Sequence, residues 1–216
     1  MRSRAHISVK EPVLFCWSGG KDSAMALHVL MQRDDVRVAA LLTTVTETYD
    51  RISMHGVRRE LLVRQAQSIG LPLHEVRIPP QCVNPIYEAS MEEALRIQYE
   101  AGIRTVAFGD IFLEDLRAYR ERNLARIEMS ALFPIWKRDT SELIRAFHES
   151  KFRAIAVCVD PKVLDRAFAG RELDDSFIYC DLLSEPVGAQ QAAPHLGKQK
   201  AKQQRPSVSR PKETQK

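Results

Sequence analysis

Short apolar runs alternate with helical periods along most of this 216-residue chain, and no other feature narrows its possible folds as much. Val13–Trp17 is apolar and bounded by Pro12 and a glycine turn, the pattern of a buried strand. Asp22–Gln32 follows with apolar residues at 24, 25, 27, 29, 30 and 31, a helical spacing. Val36–Leu42 reads as a second strand and Val57–Ile69 as a helix. That helix should stop at Gly70-Leu71-Pro72, where glycine takes the left-handed conformation and proline blocks continuation. Leu73–Ile78 is a third strand, and Asn84-Pro85 should open a helix to Ala101 with Asn84 as its N-cap. Arg104–Phe108 is expected as a fourth strand and Asp110–Ile127 as mostly helix. Asp139-Thr140-Ser141-Glu142 is a capping-box pattern heading a helix towards Ser150. Arg153–Val159 is expected as a fifth strand, with Asp160-Pro161 starting a helix towards Ala169.

Strands joined by helical crossovers form a parallel sheet covered on both faces, and right-handed crossovers make it open and doubly wound. The expected fold is therefore α/β: an open, doubly wound parallel sheet of about five strands with helices on both faces. Ligands of such sheets bind at the carboxyl ends of the strands, near the point where the strand order reverses. Three polar segments fall on that edge: Ser18-Gly19-Gly20-Lys21-Asp22-Ser23, Thr43-Thr44 and Gly109-Asp110.

The first of these, SGGKDS, is a glycine-rich turn between a strand and a helix. It is not a Walker A loop: Asp22 follows Lys21 where Ser or Thr would hold magnesium, and Phe15 occupies the position of the first glycine. It nevertheless has the parts of a phosphate cradle. Gly19 and Gly20 let the backbone approach a ligand, and the amides of Ser18, the glycines and the first helical turn favour an anion. Lys21 adds a mobile cation and Ser23 a hydroxyl.

Charge is unevenly distributed. Residues 186–216 hold seven Lys/Arg and one acidic residue, so residues 1–185 carry 25 basic against 27 acidic groups and the basic pI belongs to the tail. That tail is rich in Gln, Lys, Pro and Ala and is expected to be disordered. The four cysteines form no C-x-x-C pair. Cys16 and Cys158 lie in apolar runs as expected buried hydrophobes, leaving Cys82 and Cys180 in loops. The N-terminus lacks a signal-type apolar region and no run reaches membrane length, so the body is expected to be cytoplasmic, with no membrane and no specific nucleic-acid partner.

SGGKDS resembles the pyrophosphatase loop of N-type ATP pyrophosphatases. Four further segments make the chain similar to the diphthine–ammonia ligase family of adenine-nucleotide α-hydrolase-like proteins, in its bacterial branch. These are RISMHGVRRELLVRQAQSIGLPL (51–73), VAFGDIFLEDLRAYRE (106–121), LFPIWKRDTSELI (132–144) and LDRAFAGRELDDSFI (164–178). The resemblance implies a HUP/Rossmann-like nucleotide-binding domain over 12–178, between an N-terminal arm (1–11) and a non-family basic tail (179–216). Where the family continues into G-E-x-G-E-[FY]-x-[ST], this chain reads YCDLLSEP, so a C-terminally altered or truncated member is expected.

The implied activity is ATP-dependent adenylation of a carboxylate, releasing pyrophosphate, followed by amidation with ammonia and release of AMP. The implied cofactors are ATP and Mg²⁺; the implied partners are ATP, a carboxylate acceptor and ammonia. A nucleotide-binding protein without catalysis, and other pyrophosphatase-loop chemistry such as tRNA thiolation, are the alternatives. Under the resemblance Ser18, Gly19, Gly20 and Ser23 hold phosphates and Lys21 neutralises developing charge. Asp22 binds Mg²⁺, orients Lys21 or complements the helix dipole. Thr43 and Thr44 meet the adenosine, unless they merely end a β-rich strand, and His55 of Met54-His55-Gly56 is either a site residue or structural. Gly109-Asp110 holds ribose or Mg²⁺, the alternative being an Asp helix cap. Asp110, Glu114, Arg117 and Glu121 share one helix face with Arg120 at its edge, either as site residues or as exposed ion pairs. Lys21 and Asp110 are the expected catalytic pair. Trp136 is core or a wall of the pocket.

Overall fold

A computed structural model of the chain describes residues 10–53, 56–162 and 164–178. The chain divides into two compact units, the first ending at Phe152 and the second beginning at Arg153. The first unit carries the sheet, in the element order β1 (Glu11–Cys16), α1 (Lys21–Met31), β2 (Val36–Thr46), β3 (Arg51–Ile52), α2 (Arg59–Ile69), β4 (Leu73–Ile78), α3 (Asn84–Glu100), β5 (Thr105–Phe108), α4 (Glu114–Ala125), β6 (Ser130–Leu132) and α5 (Thr140–Glu149).

β1 is the central strand, paired in parallel with β2 on one side and β5 on the other. Its residues Val13, Leu14 and Phe15 are all fully buried, as expected where helices cover both faces and polar alternation disappears. β4 adds in parallel to the outer edge of β2, and β6 adds in parallel to β5. The two-residue β3 runs antiparallel against the far end of β2, pairing Val45 with Ile52. The sheet is thus mostly parallel, and the expectation of an α/β sheet with helices on both faces holds.

Two apolar layers sandwich the sheet. On one face Val13, Phe15, Leu41 and Val45 pack with Leu27 and Leu30 of α1, Leu62 and Ala66 of α2, and Leu143 of α5. On the other, Leu14, Leu42, Val106 and Phe108 pack with Leu95 of α3 and Leu124 of α4. A register shift between Val13 and Leu14 places two residues of β2 against one step of β1, which resets the alternation of β2 so that Val38 and Leu41 face the same layer.

The helix ends follow their local chemistry. Gly70 takes φ 79°, its N–H bonds to Ala66 and Gln67 carbonyls, and Leu71 N–H reaches back to Ala66 O, a Schellman closure. The Asp139 carboxylate accepts from Glu142 N–H at 2.9 Å, the cap expected of α5. Asn84 is not a cap. Val83 holds that position and Asn84 is the first helical residue, so Pro85 alone supplies the start signal.

Other expectations fail as well. The helix after β5 begins at Glu114 rather than Asp110, because Leu113 takes φ 79° at its N-cap and separates it from the preceding turn. Two short strands not expected, β3 and β6, form at Arg51–Ile52 and Ser130–Leu132. The strand expected at 153–159 is absent. Among the described residues of the second unit that segment makes one bridge, Ile155 to Glu172, and Ile155 is 61% and Val157 80% exposed. The helix expected after Asp160 shrinks to a 3-10 turn, Arg166–Phe168, capped by the Asp165 side chain on Ala167 N–H. Phe168 and Phe177 meet edge to face at 5.2 Å within this unit, with the Arg171 guanidinium over both rings. No helix among the described residues is long and apolar enough to cross a membrane.

Candidate functional site

Strand order runs from β1 through β2 to β4 in one direction and through β5 to β6 in the other, so the order reverses between β1 and β5. Cys16 and Phe108 are paired partners at the carboxyl ends of those two strands. The loop 17–20 leaves from one and the loop 109–113 from the other, at the crevice where ligands of open α/β sheets bind.

Two hydrogen bonds hold the start of the first loop. Trp17 N–H continues the sheet by donating to Leu42 O at 2.8 Å, and Ser18 N–H donates to Ser23 Oγ at 3.2 Å. Gly19 takes φ 74°, a conformation costly for any residue with a Cβ. Gly20 is the N-cap of α1 and receives no side-chain cap, which leaves the helix end to its own amides. Lys21 Nζ pairs with the neighbouring Asp22 carboxylate. Both side chains are partly exposed, so the pair adds little stability and leaves Lys21 available.

The second loop is pressed onto the first. A Cβ on Gly109 would lie 2.9 Å from Ser23 Cα, 3.1 Å from Ser23 N and 3.2 Å from Asp22 O. Glycine is therefore required at 109 for packing against the start of α1, where the sequence suggested an approach to a ligand. Asp110 follows, off the helix. Its Oδ2 lies 2.8 Å from Arg120 Nε, but the alignment is too poor for a hydrogen bond, and both atoms are buried without one. The Arg120 guanidinium sits 4.2 Å over the Phe108 ring. It is Arg120, expected only at the edge of the helix stripe, that joins Asp110.

The remaining stripe residues are tied elsewhere. Glu114 is exposed and pairs with Lys137 Nζ at 2.7 Å. Arg117 donates to Glu121 at 2.7 Å as an i,i+4 pair and lies over Phe133 and Trp136, 5.0 and 4.9 Å from the ring centroids. Trp136 is partly buried, tilted against Phe133 at 5.5 Å. Thr43, one residue past the Cys16–Leu42 pair, is buried, and its hydroxyl has no partner among the described residues. His55 lies outside the described residues, as do Cys180 and the tail. Cys158 is exposed, contrary to expectation, because its segment forms no strand.

Beneath the loop, on the α3/α4 face, burial pushes the Cys16 thiol up to about 12; the Arg120 charge opposes this and Asp110 adds to it. Burial likewise raises Tyr87, which feels the same Arg120 and Asp110 charges. Cys16 is therefore a neutral thiol at physiological pH and a poor nucleophile. Native alkylation with iodoacetamide at pH 8, followed by peptide mass spectrometry, is expected to modify exposed Cys158 at least about tenfold faster than Cys16. Equal rates would contradict the packing around Cys16. The raised thiol pKa also sets a sign: its contribution to stability is full below the ordinary value of 9.0 and is lost as pH rises towards 12.

One residue that sequence reasoning missed is Gln65 of α2. It lies three positions after the fully buried Leu62 and beside the buried Ala66, on the inner face of the helix. A polar residue at a core-facing position was the available signal.

A family model described as the diphthamide synthase N-terminal domain matches residues 11–130. No curated protein matches the chain. Among solved structures the chain is similar to U34-tRNA thiolase NcsA from Methanococcus maripaludis with its [4Fe-4S] cluster, at 15% identity and a TM-score of 0.41. That likeness covers 67% of this chain and 58% of the thiolase chain, so this chain spans under two thirds of the solved structure's length.

Proposed function

This chain belongs to the diphthamide synthase N-terminal domain family, whose members carry a pyrophosphatase-type loop and use ATP, and on that premise we propose that it is an ATP-dependent, AMP- and pyrophosphate-forming carboxylate–ammonia ligase. The observation that carries the reading is the SGGKDS turn itself: an uncapped N-terminus of an 11-residue helix, at the reversal of strand order, with a lysine beside it.

The residues present fit a nucleotide. The uncapped amides of α1 offer donors for phosphate oxygens, and Ser18 and Ser23 hydroxyls add to them. The strand runs on to Thr46, so Thr43 lies within β2 rather than after it, one residue past the last partner of β1, and its orphaned buried hydroxyl offers a hydrogen bond to a ligand that reaches it. The described residues contain no group of three or more His, Cys, Asp or Glu side chains arranged for a metal, so a self-contained metal cage is not part of the fit. Magnesium fits as the nucleotide's counter-ion, held by phosphates, water and one or two carboxylates, with Asp22 and Asp110 the candidates. Bound there, it would neutralise charge on the leaving pyrophosphate.

In the proposed reaction an oxygen of the acceptor carboxylate attacks the α-phosphorus. The bond to the β-phosphate bridging oxygen breaks and pyrophosphate leaves. Ammonia then attacks the acyl carbon of the acyl-adenylate, loses a proton, and AMP departs as the amide forms. Lys21 stabilises the charge that collects on the pyrophosphate, and the loop amides orient it, so catalysis is chiefly positioning and electrostatics. Asp110, partly buried and ion-paired with Arg120, would orient the ribose or the bound magnesium.

The reading is tested by incubating the chain with α-labelled ATP, ammonium and a pool of small carboxylates and peptides. AMP and pyrophosphate in equal amounts, dependent on both ammonium and acceptor, are expected. Nucleotide binding with no AMP from any pool would instead leave a non-catalytic binder.

Thr43 gives a sharper test. A buried hydroxyl without a partner costs about 1–3 kcal/mol, whereas a methyl of the same shape costs nothing there. Thr43→Val is therefore expected to raise the melting temperature by about 2–12 °C while weakening ATP binding about threefold to tenfold. Calorimetry and a binding titration on one preparation would read both. A lowered melting temperature would show that the hydroxyl already serves the fold.

A further inference from the structure

We propose that Gln65 is a positioning residue that sets the direction of a phosphate-facing amide in the SGGKDS loop; this rests on the nucleotide reading above. Gln65 Oε1 accepts from the Trp17 indole N–H at 3.2 Å, and Gln65 Nε2 donates to Gly19 O at 3.3 Å. The orientation of the amide follows from chemistry. Indole nitrogen can only donate and a carbonyl can only accept, so Oε1 must face Trp17 and Nε2 must face Gly19.

One consequence follows from the planar trans peptide. In the unit joining Gly19 to Gly20, the carbonyl and the N–H point in opposite directions. Tying Gly19 O to α2 therefore turns Gly20 N–H away from α2, towards the Ser18 hydroxyl, which accepts it at 3.4 Å. Gly20 is the N-cap of α1, so this N–H, held among the described residues only by the long contact to Ser18 Oγ, stands at the head of the amides offered to an anion. Gly19 sits at φ 74°, which glycine reaches about as readily as negative φ, so the residue's own conformational preference does not fix the peptide direction and the bond from Gln65 does. Gln65 is also in close contact with Gly19: a Cβ there would lie 2.7 Å from Oε1 and 2.9 Å from Leu62 Cδ1. Trp17, itself buried, anchors the other end of the tether.

The test compares the full chain with Gln65→Met, which keeps the side-chain volume and removes both hydrogen bonds. Nuclear magnetic resonance of the unliganded proteins reads the tether directly, through the Trp17 indole and Gly20 amide resonances. A titration with magnesium and the non-cleavable α,β-methylene analogue of ATP reads its consequence. Both resonances are expected to shift, and Kd is expected to rise about tenfold, with the melting temperature held within a few degrees. Unshifted resonances, or an unchanged Kd in a variant whose parent binds the analogue, would overturn the proposal. Should the parent itself fail to bind, the nucleotide reading fails and Gln65 loses its proposed function, even though shifted resonances would still show the tether. Gln65→Glu supplies a further check, because a carboxylate accepts from Trp17 but cannot donate to Gly19 O. The Trp17 indole resonance should stay near its parental position while the Gly20 amide moves.

Discussion

Gly109→Ala is expected to lower the melting temperature by roughly 5 °C, through overpacking worth about 1–3 kcal/mol, and to weaken nucleotide binding by more than about tenfold. The new methyl meets backbone, at 2.9 Å from Ser23 Cα and 3.1 Å from Ser23 N, and backbone cannot swing aside as a flexible side chain can. Relief requires the N-terminus of α1 to move away from the end of β5, which displaces the amides of the loop. Gly20→Ala is the stability control. Its nearest neighbour would be Ser18 Oγ at 3.6 Å, an ordinary contact, and its φ of −90° suits any residue. Calorimetry should place Gly20→Ala near the parent and Gly109→Ala well below it. Equal melting temperatures for all three proteins would mean that the contact between the two loops is looser than the distances state.

The second large effect is on turnover. Lys21→Ala is expected to reduce AMP formation by about 10²–10³-fold, the loss typical when one preorganised donor to developing charge is removed. Stability should hardly change, because the partner of Lys21 is the partly exposed Asp22 and such pairs contribute about 0–1 kcal/mol. The combination separates a reaction role from a structural one. Lys21→Arg keeps the charge but exchanges a compact ammonium for a planar fork, and only partial recovery is expected. Labelled AMP release and thermal unfolding on the same samples decide it. A variant that keeps its turnover would remove Lys21 from the mechanism.

The fold was legible where burial erases polar alternation. Val13–Phe15 has no polar position, and a strand of that kind can only lie at the centre of a sheet covered on both faces. The reversal of strand order followed from the crossovers, and with it the edge on which SGGKDS and Gly109-Asp110 meet. Illegible features depended on contacts distant in sequence. β6 is three residues long, too short for any periodicity to mark it. The segment 153–159 has the alternation of a strand, yet Val157 is 80% exposed, because alternation shows what a segment could bury and not whether a covering layer exists. The spacing of Asp110, Glu114 and Arg117 suggested one helix face, but the left-handed Leu113 breaks the helix between the first two. The tether through Gln65 joins residues 46 positions apart, which no local pattern encodes.

Thermal unfolding of the chain and of Lys21→Ala, with and without magnesium and the α,β-methylene analogue of ATP, reads whether the SGGKDS loop holds a nucleotide. Ligand at about 100 times Kd stabilises the state that binds it by about 2.7 kcal/mol, a rise of about 5–10 °C for a chain of this size. That rise is expected in the parent, with most of it missing in Lys21→Ala. No rise in the parent, or an equal rise in both, would contradict a nucleotide site built on the SGGKDS loop.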